Sequence, residues 1–565
     1  MKISVWIQVA LLVIVCAVIG MDKVNEAFDE GFEDTRAYLQ MGMFLQDNGG
    51  VPGFLPLSLS GRYTSNNQHP FYPLLLSMIA SREPMYFVHS KLVSLVGGLL
   101  LAVALFLVAR SLYGDAIAIL AGTFLILNTT FLRMASHVAC ETFLMLFVLL
   151  SMYAGFKCAE QARYWTWVGV LAGLAYLTKG TGLLLIPSIM LLACLQYGWA
   201  VGKSRHFWMF AGMFLIVASP LLMRNMIVYG PPIYGGPNSV ALWMDTWWDS
   251  YNPTMGTIVQ YPEVVWQFVN PPSMSTYLQS HSISDVIVRL ASGLRGEFRL
   301  LVHSLDPMLP GPSLGAIMLI LSAIGLATEA KRERAAFVVV LFASFFLPFS
   351  WFYQVAPTSR YLAPLVPILC LYSAGGVVWI FAKLTTTLRG PLADKDLLGW
   401  VPTGVVGVLA IMGIYGMTTQ DVGIPRAAAF GKDEETFSIW VTQKVKHQDL
   451  LLLNVYNPYA THSWFVGLNG KIVHWTTDIE IKGFDKNSLS YLDELLKNPL
   501  AKGRRYVVVH KDDLQQSKGL ANRFRYDDVI GLTTTRPIEE WSFAYADPDL
   551  PRQYLIYETT FGTTS

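Results

Sequence analysis

Charge is what this chain has least of. Only 14% of its 565 residues are Asp, Glu, Lys or Arg, against about 25% in ordinary soluble chains. Hydrophobic residues make up 53%, so a soluble multidomain protein is excluded and most of the chain reads as lipid-embedded. The formal net charge is +1 and neither Lys nor Arg forms a dense run, so no nucleic-acid partner is expected. Cysteine is equally sparse. Cys16, Cys140, Cys158, Cys194 and Cys370 lie in or beside apolar stretches without paired or metal-ligand spacing. That spacing excludes a disulfide framework, and the five read as small buried apolar side chains. Internal repeats and low-complexity tracts are missing too, as is a small-x-small cleavage site after the first apolar run, which reads as an uncleaved span.

What is present is a series of apolar runs near the roughly 20 residues that a bilayer crossing takes. They fall near 4–20, 87–109, 115–131, 137–156, 164–177, 181–197, 206–223, 311–328, 335–353, 361–382 and 399–417. The fifth and sixth are short and separated only by Thr178, Lys179 and Gly180. The expectation is an all-α polytopic membrane protein of about eleven transmembrane helices. With the N-terminus in the cytoplasm, the connections that fall inside hold Arg110; Lys157 and Arg163; Lys203 and Arg205; Lys331, Arg332 and Arg334; and Lys383, Arg389 and Lys395. This is the distribution the positive-inside rule requires, and losing one span would scramble it.

Three long segments then fall outside: loops 21–86 and 224–310, and a tail, 418–565. In the tail, apolar runs such as Leu450–Val455 and Tyr506–His510 resemble buried strands, and Tyr491–Lys497 is helix-like. The domain organisation is therefore a membrane part, 1–417, followed by a small α/β or α+β extracytoplasmic domain, 418–565. Loop 224–310 is rich in aromatics, including Trp243, Trp247, Trp248, Tyr251, Tyr261 and Trp266. Anchoring at the headgroup level explains them, and a sugar-stacking or lipid-gripping surface is the alternative.

Some polar residues are not explained by membrane burial. The first outer loop opens with Asp29, Glu30, Glu33, Asp34, Arg36 and Tyr38, and helical spacing puts Asp34 and Tyr38 on one face. A solvated acidic helix start is the plain alternative. Single ionisable groups recur at the outer ends of later helices: Arg133, His137 and Glu141, then Lys179, Arg224 and Arg360. His137 and Glu141 are expected one turn apart on the fourth helix, with Glu141 inside the membrane boundary, where an ionisable group usually faces a cavity. For Lys179 and Arg224, snorkelling to the headgroups would also serve. Such groups suit a reaction between a phosphate-bearing lipid and an acceptor from outside. Arg and Lys would hold the phosphate, and a carboxylate would remove the acceptor's proton.

The ordered motifs resemble a known family, the GT-C glycosyltransferases of the protein mannosyltransferase and aminoarabinose transferase type. Glu33-Asp34-Thr35-Arg36-Ala37-Tyr38 is similar to that family's acidic first-loop signature, and His69-Pro70-Phe71-Tyr72-Pro73-Leu74-Leu75 to its proline-rich approach to the second helix. Val108 to Gly114, Arg133 to His137 with Glu141-Thr142-Phe143, and Leu177 to Gly182 follow in the same order. Ser219-Pro220 with Arg224-Asn225, and Arg360-Tyr361 with Pro364 and Pro367, complete the series. The acidic pair departs from the Asp-Glu order of many relatives, and a second pair, Asp29-Glu30, precedes it; Tyr38 lies four residues after Asp34 and nine after Asp29.

The resemblance implies an inner-membrane enzyme that moves one sugar from a polyprenyl-phosphate donor to an extracytoplasmic protein, lipid or glycan, with inversion. Asp34 would act as base or acceptor-orienting group, assisted by Glu33 and Glu141. Arg360, Lys179 and Arg224 would bind the donor phosphate. Tyr38, Arg62, His69, Arg133, His137 and Tyr361 would line the substrates, although loop structure accounts for Arg62 and His69 equally well. Some relatives with acidic first loops bind a divalent cation; the acidic oxygens here form no compact ligand motif, and no metal residues are assigned. The rival classes are a transporter or flippase of lipid-linked substrates, which the missing repeats disfavour, and an assembly protein, for which eleven spans are more than an anchor needs.

Overall fold

A backbone in hydrocarbon must satisfy its N–H and C=O groups within its own segment, so apolar runs of bilayer length become helices. The structure, a computed structural model, describes residues 5–26, 34–63, 68–81, 85–235, 240–246, 257–260, 265–268, 272–308 and 313–387, and the strands 450–454, 480–484, 505–510, 532–534, 539–544 and 551–561. Among the described residues, seven helical segments are long and apolar enough to cross a membrane, and three shorter apolar helices accompany them. The chain forms two compact units, one of Met1–Val24, Met41–Met78 and Lys91–Val422, the other of Asn25–Gln40, Ile79–Ser90 and Gly423–Ser565.

Ten of the eleven expected runs coincide with helices, and the eleventh, 399–417, lies outside the described residues. The helices are α1 (Val5–Glu26), α2 (Asp34–Asp47), α3 (Gly50–Leu59), α4 (Phe71–Ser77), α5 (Met85–Tyr113), α6 (Asp115–Ile126), α7 (Thr129–Ser136) and α8 (Glu141–Cys158). They continue with α9 (Tyr164–Thr178), α10 (Ile186–Tyr197), α11 (Arg205–Val228), α12 (Met274–Ser280), α13 (Ile283–Ser304), α14 (Gly315–Ala327), α15 (Arg332–Phe352) and α16 (Val366–Thr387). Their outward faces carry exposed apolar side chains, such as Ile7, Leu11 and Ile14 on α1 and Leu215, Ile216 and Met223 on α11. That is the surface hydrocarbon solvates.

Two expectations are corrected near the site. The run 115–131 is not one helix: Asn128 breaks it by accepting from Phe131 N at 2.8 Å, an N-cap that starts α7 afresh. Asn128 Nδ2 and Thr129 N then donate to Ser304 O and Asp306 O at the end of α13. In turn, His137 does not share a helix with Glu141. It caps the C-terminal end of α7 in extended backbone, and α8 begins at Glu141.

The segments expected as outer loops contain regular structure. α2, α3 and α4 occupy the first. In the second, β1 (Thr257–Gln260) and β2 (Val265–Phe268) pair antiparallel. Ser273 with Thr276 and Ser282 with Asp285 make capping boxes that start α12 and α13. Trp243 packs edge-on or tilted against Tyr277 and Trp351, with the Arg289 guanidinium 4.4 Å from the Trp351 ring centre. Trp247, Trp248, Tyr251 and Tyr261 lie outside the described residues.

Glycine sets the packing that places α8. A Cβ on Gly97 of α5 would meet Thr142 Oγ1 at 2.6 Å, and one on Gly98 would meet Ala135 at 3.0 Å, so α5 closes directly onto α7 and the first turn of α8. At the other end of the bundle, the expected inner connections meet. Lys157 Nζ lies 2.7 Å from Glu160 Oε2, while Lys331 and Arg334 approach the other oxygen of Glu160 at 3.6 and 3.9 Å.

In the C-terminal region, β3 (Leu450–Asn454) pairs parallel with β4 (Glu480–Phe484) and β5 (Arg505–His510). The long β8 (Pro551–Phe561) runs antiparallel to β5, β6 (Leu532–Thr534) and β7 (Glu539–Ala544). The two strands expected from the apolar runs are β3 and β5; Tyr491–Lys497 lies outside the described residues.

Candidate anion-binding site

Three chain breaks and two helices each present an ionisable side chain. Glu141 is the first residue of α8 and is buried. Lys179 leaves the end of α9 in extended backbone, φ −158° and ψ 144°, before a 3-10 turn, Gly180–Leu185, leads into α10. Arg360 and Tyr361 form a 3-10 turn, Ser359–Tyr361, ahead of α16, with Thr358 as N-cap. Arg133 comes from α7, and Arg224 from the last turns of α11.

Glu141 joins these elements. Its Oε1 lies 2.6 Å from Lys179 Nζ and 3.9 Å from Arg360 Nε. A buried carboxylate held this way draws in cations that would otherwise repel. Arg133 shows the repulsion: burial, and then the charge of Arg360, hold its guanidinium below its usual range. Tyr361 lies beneath two of the cations, with its ring centre 5.7 Å from Lys179 Nζ and 5.8 Å from Arg360 Cζ. The ring is fixed by stacking on Phe349 at 4.5 Å.

Both histidines are held by one ring nitrogen. His137 Nδ1 donates to Arg133 O at 2.7 Å, and His69 Nδ1 to Tyr176 O at 2.5 Å. These carbonyl partners fix the Nδ1–H tautomer and leave Nε2 as the acceptor. Burial pushes the His69 imidazole down to about 4, and the charges of Arg224 and Lys179 push the same way against the bond to Tyr176. His69 Nε2 stands 3.3 Å from where a Cβ on Gly180 would be, so a side chain at residue 180 would press on the imidazole.

Arg224 lies over two rings, with Cζ 5.2 Å from the Tyr63 centre and 5.4 Å from Tyr229. Tyr63 was not legible as a site residue. Its neighbour Arg62 was, yet Arg62 is exposed and donates to Asn48 Oδ1 at 3.3 Å. Lys91 also escaped notice: buried within α5, it donates to Val24 O at 2.9 Å and so serves a carbonyl in the last turn of α1.

Asp34 and Tyr38 belong to the second unit. Asp34 is the first residue of α2 and half-buried, and Tyr38, one turn later, is buried. Tyr86 at the start of α5 donates to Leu39 O at 3.2 Å, tying the two helices together beside this turn. Asp29, Glu30 and Glu33 lie outside the described residues. Among the described residues, no three His, Cys, Asp or Glu side chains gather as metal ligands.

Residues 85–223 match the family described as dolichyl-phosphate-mannose-protein mannosyltransferase. ArnT from Cupriavidus metallidurans bound to undecaprenyl phosphate is similar in structure, with a TM-score of 0.55 at 13% identity over 98% of both chains. The apo state of that protein gives 0.53 at 12% identity over 97% of both. The Archaeoglobus fulgidus oligosaccharyltransferase gives 0.49 at 12% identity, over 96% of this chain and 75% of that one. No curated protein matches by sequence.

Proposed function

We propose that this chain is a GT-C-type membrane glycosyltransferase that transfers one sugar from a polyprenyl-phosphate donor to an acceptor on the extracytoplasmic face, a reading supported by the family match over residues 85–223 and by the fold it shares with ArnT. The observation that carries this reading is the meeting of Lys179 and Arg360 on the buried Glu141 carboxylate, with Arg133 near enough to feel the charge of Arg360, and Arg224 and Lys179 both acting on His69. Lysine and arginine side chains brought together in this way suit a phosphate that becomes more anionic as its glycosyl bond breaks.

In the proposed reaction, an acceptor hydroxyl attacks the anomeric carbon and loses its proton to the Asp34 carboxylate. The bond between that carbon and the phosphate oxygen breaks, and the polyprenyl phosphate leaves with the electron pair. Attack opposite the leaving group inverts the configuration. Lys179, Arg360 and Arg224 hold the phosphate, while Glu141 keeps Lys179 and Arg360 together. Tyr38, Arg62, His69, Arg133, His137 and Tyr361 line the substrates, and Glu33 and Glu141 assist the base. ArnT was solved with undecaprenyl phosphate, a lipid of the class this cluster would accept. The basic connections at the opposite end of the bundle support an inner-membrane orientation with that end and the N-terminus in the cytoplasm.

The test is a panel of radiolabelled polyprenyl-phosphate sugars offered to membranes containing the full chain. Consumption of one donor with label appearing in an acceptor is the expected result. Movement of labelled lipid between leaflets with no donor consumed would replace the enzyme by a transporter.

A further inference from the structure

At the end of the bundle opposite Glu141, α8, α10 and α15 leave a cavity of about 330 Å³ between them. It is about 21 Å along α8 from the candidate site, at about 1.5 Å of rise for each residue from Glu141 to Gly155. Its apolar side is Gly155, Phe156 and Leu192, and its polar side is Lys331, Arg332 and Arg334, with Glu333 also on the wall. Gly155 keeps it open, since a Cβ there would already lie 3.1 Å from Leu192.

The carboxylates nearby pair with Lys331 and Arg334 only at 3.6–4.0 Å. Glu160 makes its short contact with Lys157 at 2.7 Å and stays 3.6 Å from Lys331 and 3.9 Å from Arg334. Glu329 accepts from Tyr113 and from the backbone of Lys331, and its oxygen is 4.0 Å from Arg334. Arg334 is 8% exposed, its guanidinium lies over the Phe156 ring at 5.3 Å, and its Nε finds no hydrogen-bond partner among the described residues. A buried donor left so costs free energy unless a ligand accepts from it. The first turn of α15 adds its backbone amides and positive dipole end to the same place.

Depth identifies the source of the anion. Trp167 near the start of α9, Trp199 after α10 and Trp208 near the start of α11 are all exposed at this end. Exposed tryptophans mark the headgroup level. A basic pocket between helices at that level, with one apolar wall, has the two-sided chemistry of a phospholipid: phosphate toward the cations, glycerol and acyl chain toward Phe156 and Leu192. We propose that this cavity binds the headgroup of an anionic glycerophospholipid from the leaflet opposite the candidate site.

The test is native mass spectrometry of the full chain released from detergent containing phosphatidylglycerol or phosphatidylcholine. Phosphatidylglycerol should be retained preferentially, and millimolar inorganic phosphate should not displace it. Lys331 and Arg332 are exposed, so the double variant K331Q/R332Q should keep the wild-type melting temperature while binding at least about tenfold more weakly. Equal retention of the two lipids, or unchanged binding by the double variant, overturns the proposal. Displacement by inorganic phosphate would make this a free-anion site and overturn the lipid assignment.

Discussion

Lys179 Nζ and Glu141 Oε1 meet at 2.6 Å across 38 residues of sequence, joining the turn after α9 to the first residue of α8. The contact does more than pair two charges, because Arg360 shares the same oxygen at 3.9 Å. Removing the carboxylate alone takes away the oxygen that both cations share. E141Q should therefore lower the melting temperature of the purified protein, and adding K179M should restore part of the loss. A thermal double-mutant cycle should return a coupling of about 1–3 kcal/mol. A coupling near zero would mean that the pair holds nothing together.

His69 predicts a pH dependence. Its imidazole titrates at about 4 in the folded protein and at 6.5 when unperturbed. Below 6.5 the unfolded chain takes up a proton that the folded site refuses. The contribution is complete above 6.5 and shrinks as pH falls toward 4. H69N keeps a donor for Tyr176 O without a titrating ring, so the difference between wild-type and H69N melting temperatures should narrow over that window. A constant difference from pH 7 to about 4 would contradict the assigned burial.

Tyr63 and Tyr229 predict a split between ring and hydroxyl. Y63F keeps the ring beneath Arg224 and should leave donor affinity within about twofold. Y63L removes the ring and should weaken donor binding by about tenfold, the scale of a desolvated cation–π contact. Donor KM measured for the two variants separates them, and equal values would show that the ring does not position Arg224.

The close approach of α5 to α8 predicts that G97V pushes Thr142 and Phe143 away and costs about 1–3 kcal/mol, as overpacking does. Chemical denaturation in detergent measures it, and an unchanged midpoint would contradict the packing.

Much of this arrangement was legible from the order of the chain, and the reasons differ by residue. Bilayer length and hydropathy are local, so ten of the eleven runs map onto helices. Glu141, Lys179, Arg224 and Arg360 stood out because a charge at a helix end in lipid is conspicuous. The breaks were less visible. Asn128 splits a continuous apolar run through a side-chain cap, a signal present in the sequence but easily outweighed by hydropathy. His137 moved off its expected helix for the same reason. Tyr63 had no local signal, since only the packing of distant segments brings its ring under Arg224, whereas Tyr229 lies five residues after Arg224 and was within reach of a local reading. The buried Lys91 was hidden because one cation in a long apolar run hardly lowers its hydropathy.

The central claim is that a carboxylate at the start of α2 acts on the acceptor while the cations hold the donor phosphate. It is tested most directly by sugar transfer in membranes containing wild type, D34N or D29N, with folding verified by melting temperature. The account predicts transfer by wild type and D29N, and a loss of about 100-fold or more in D34N at unchanged stability. Full activity in D34N, or loss confined to D29N, would contradict the assignment of Asp34.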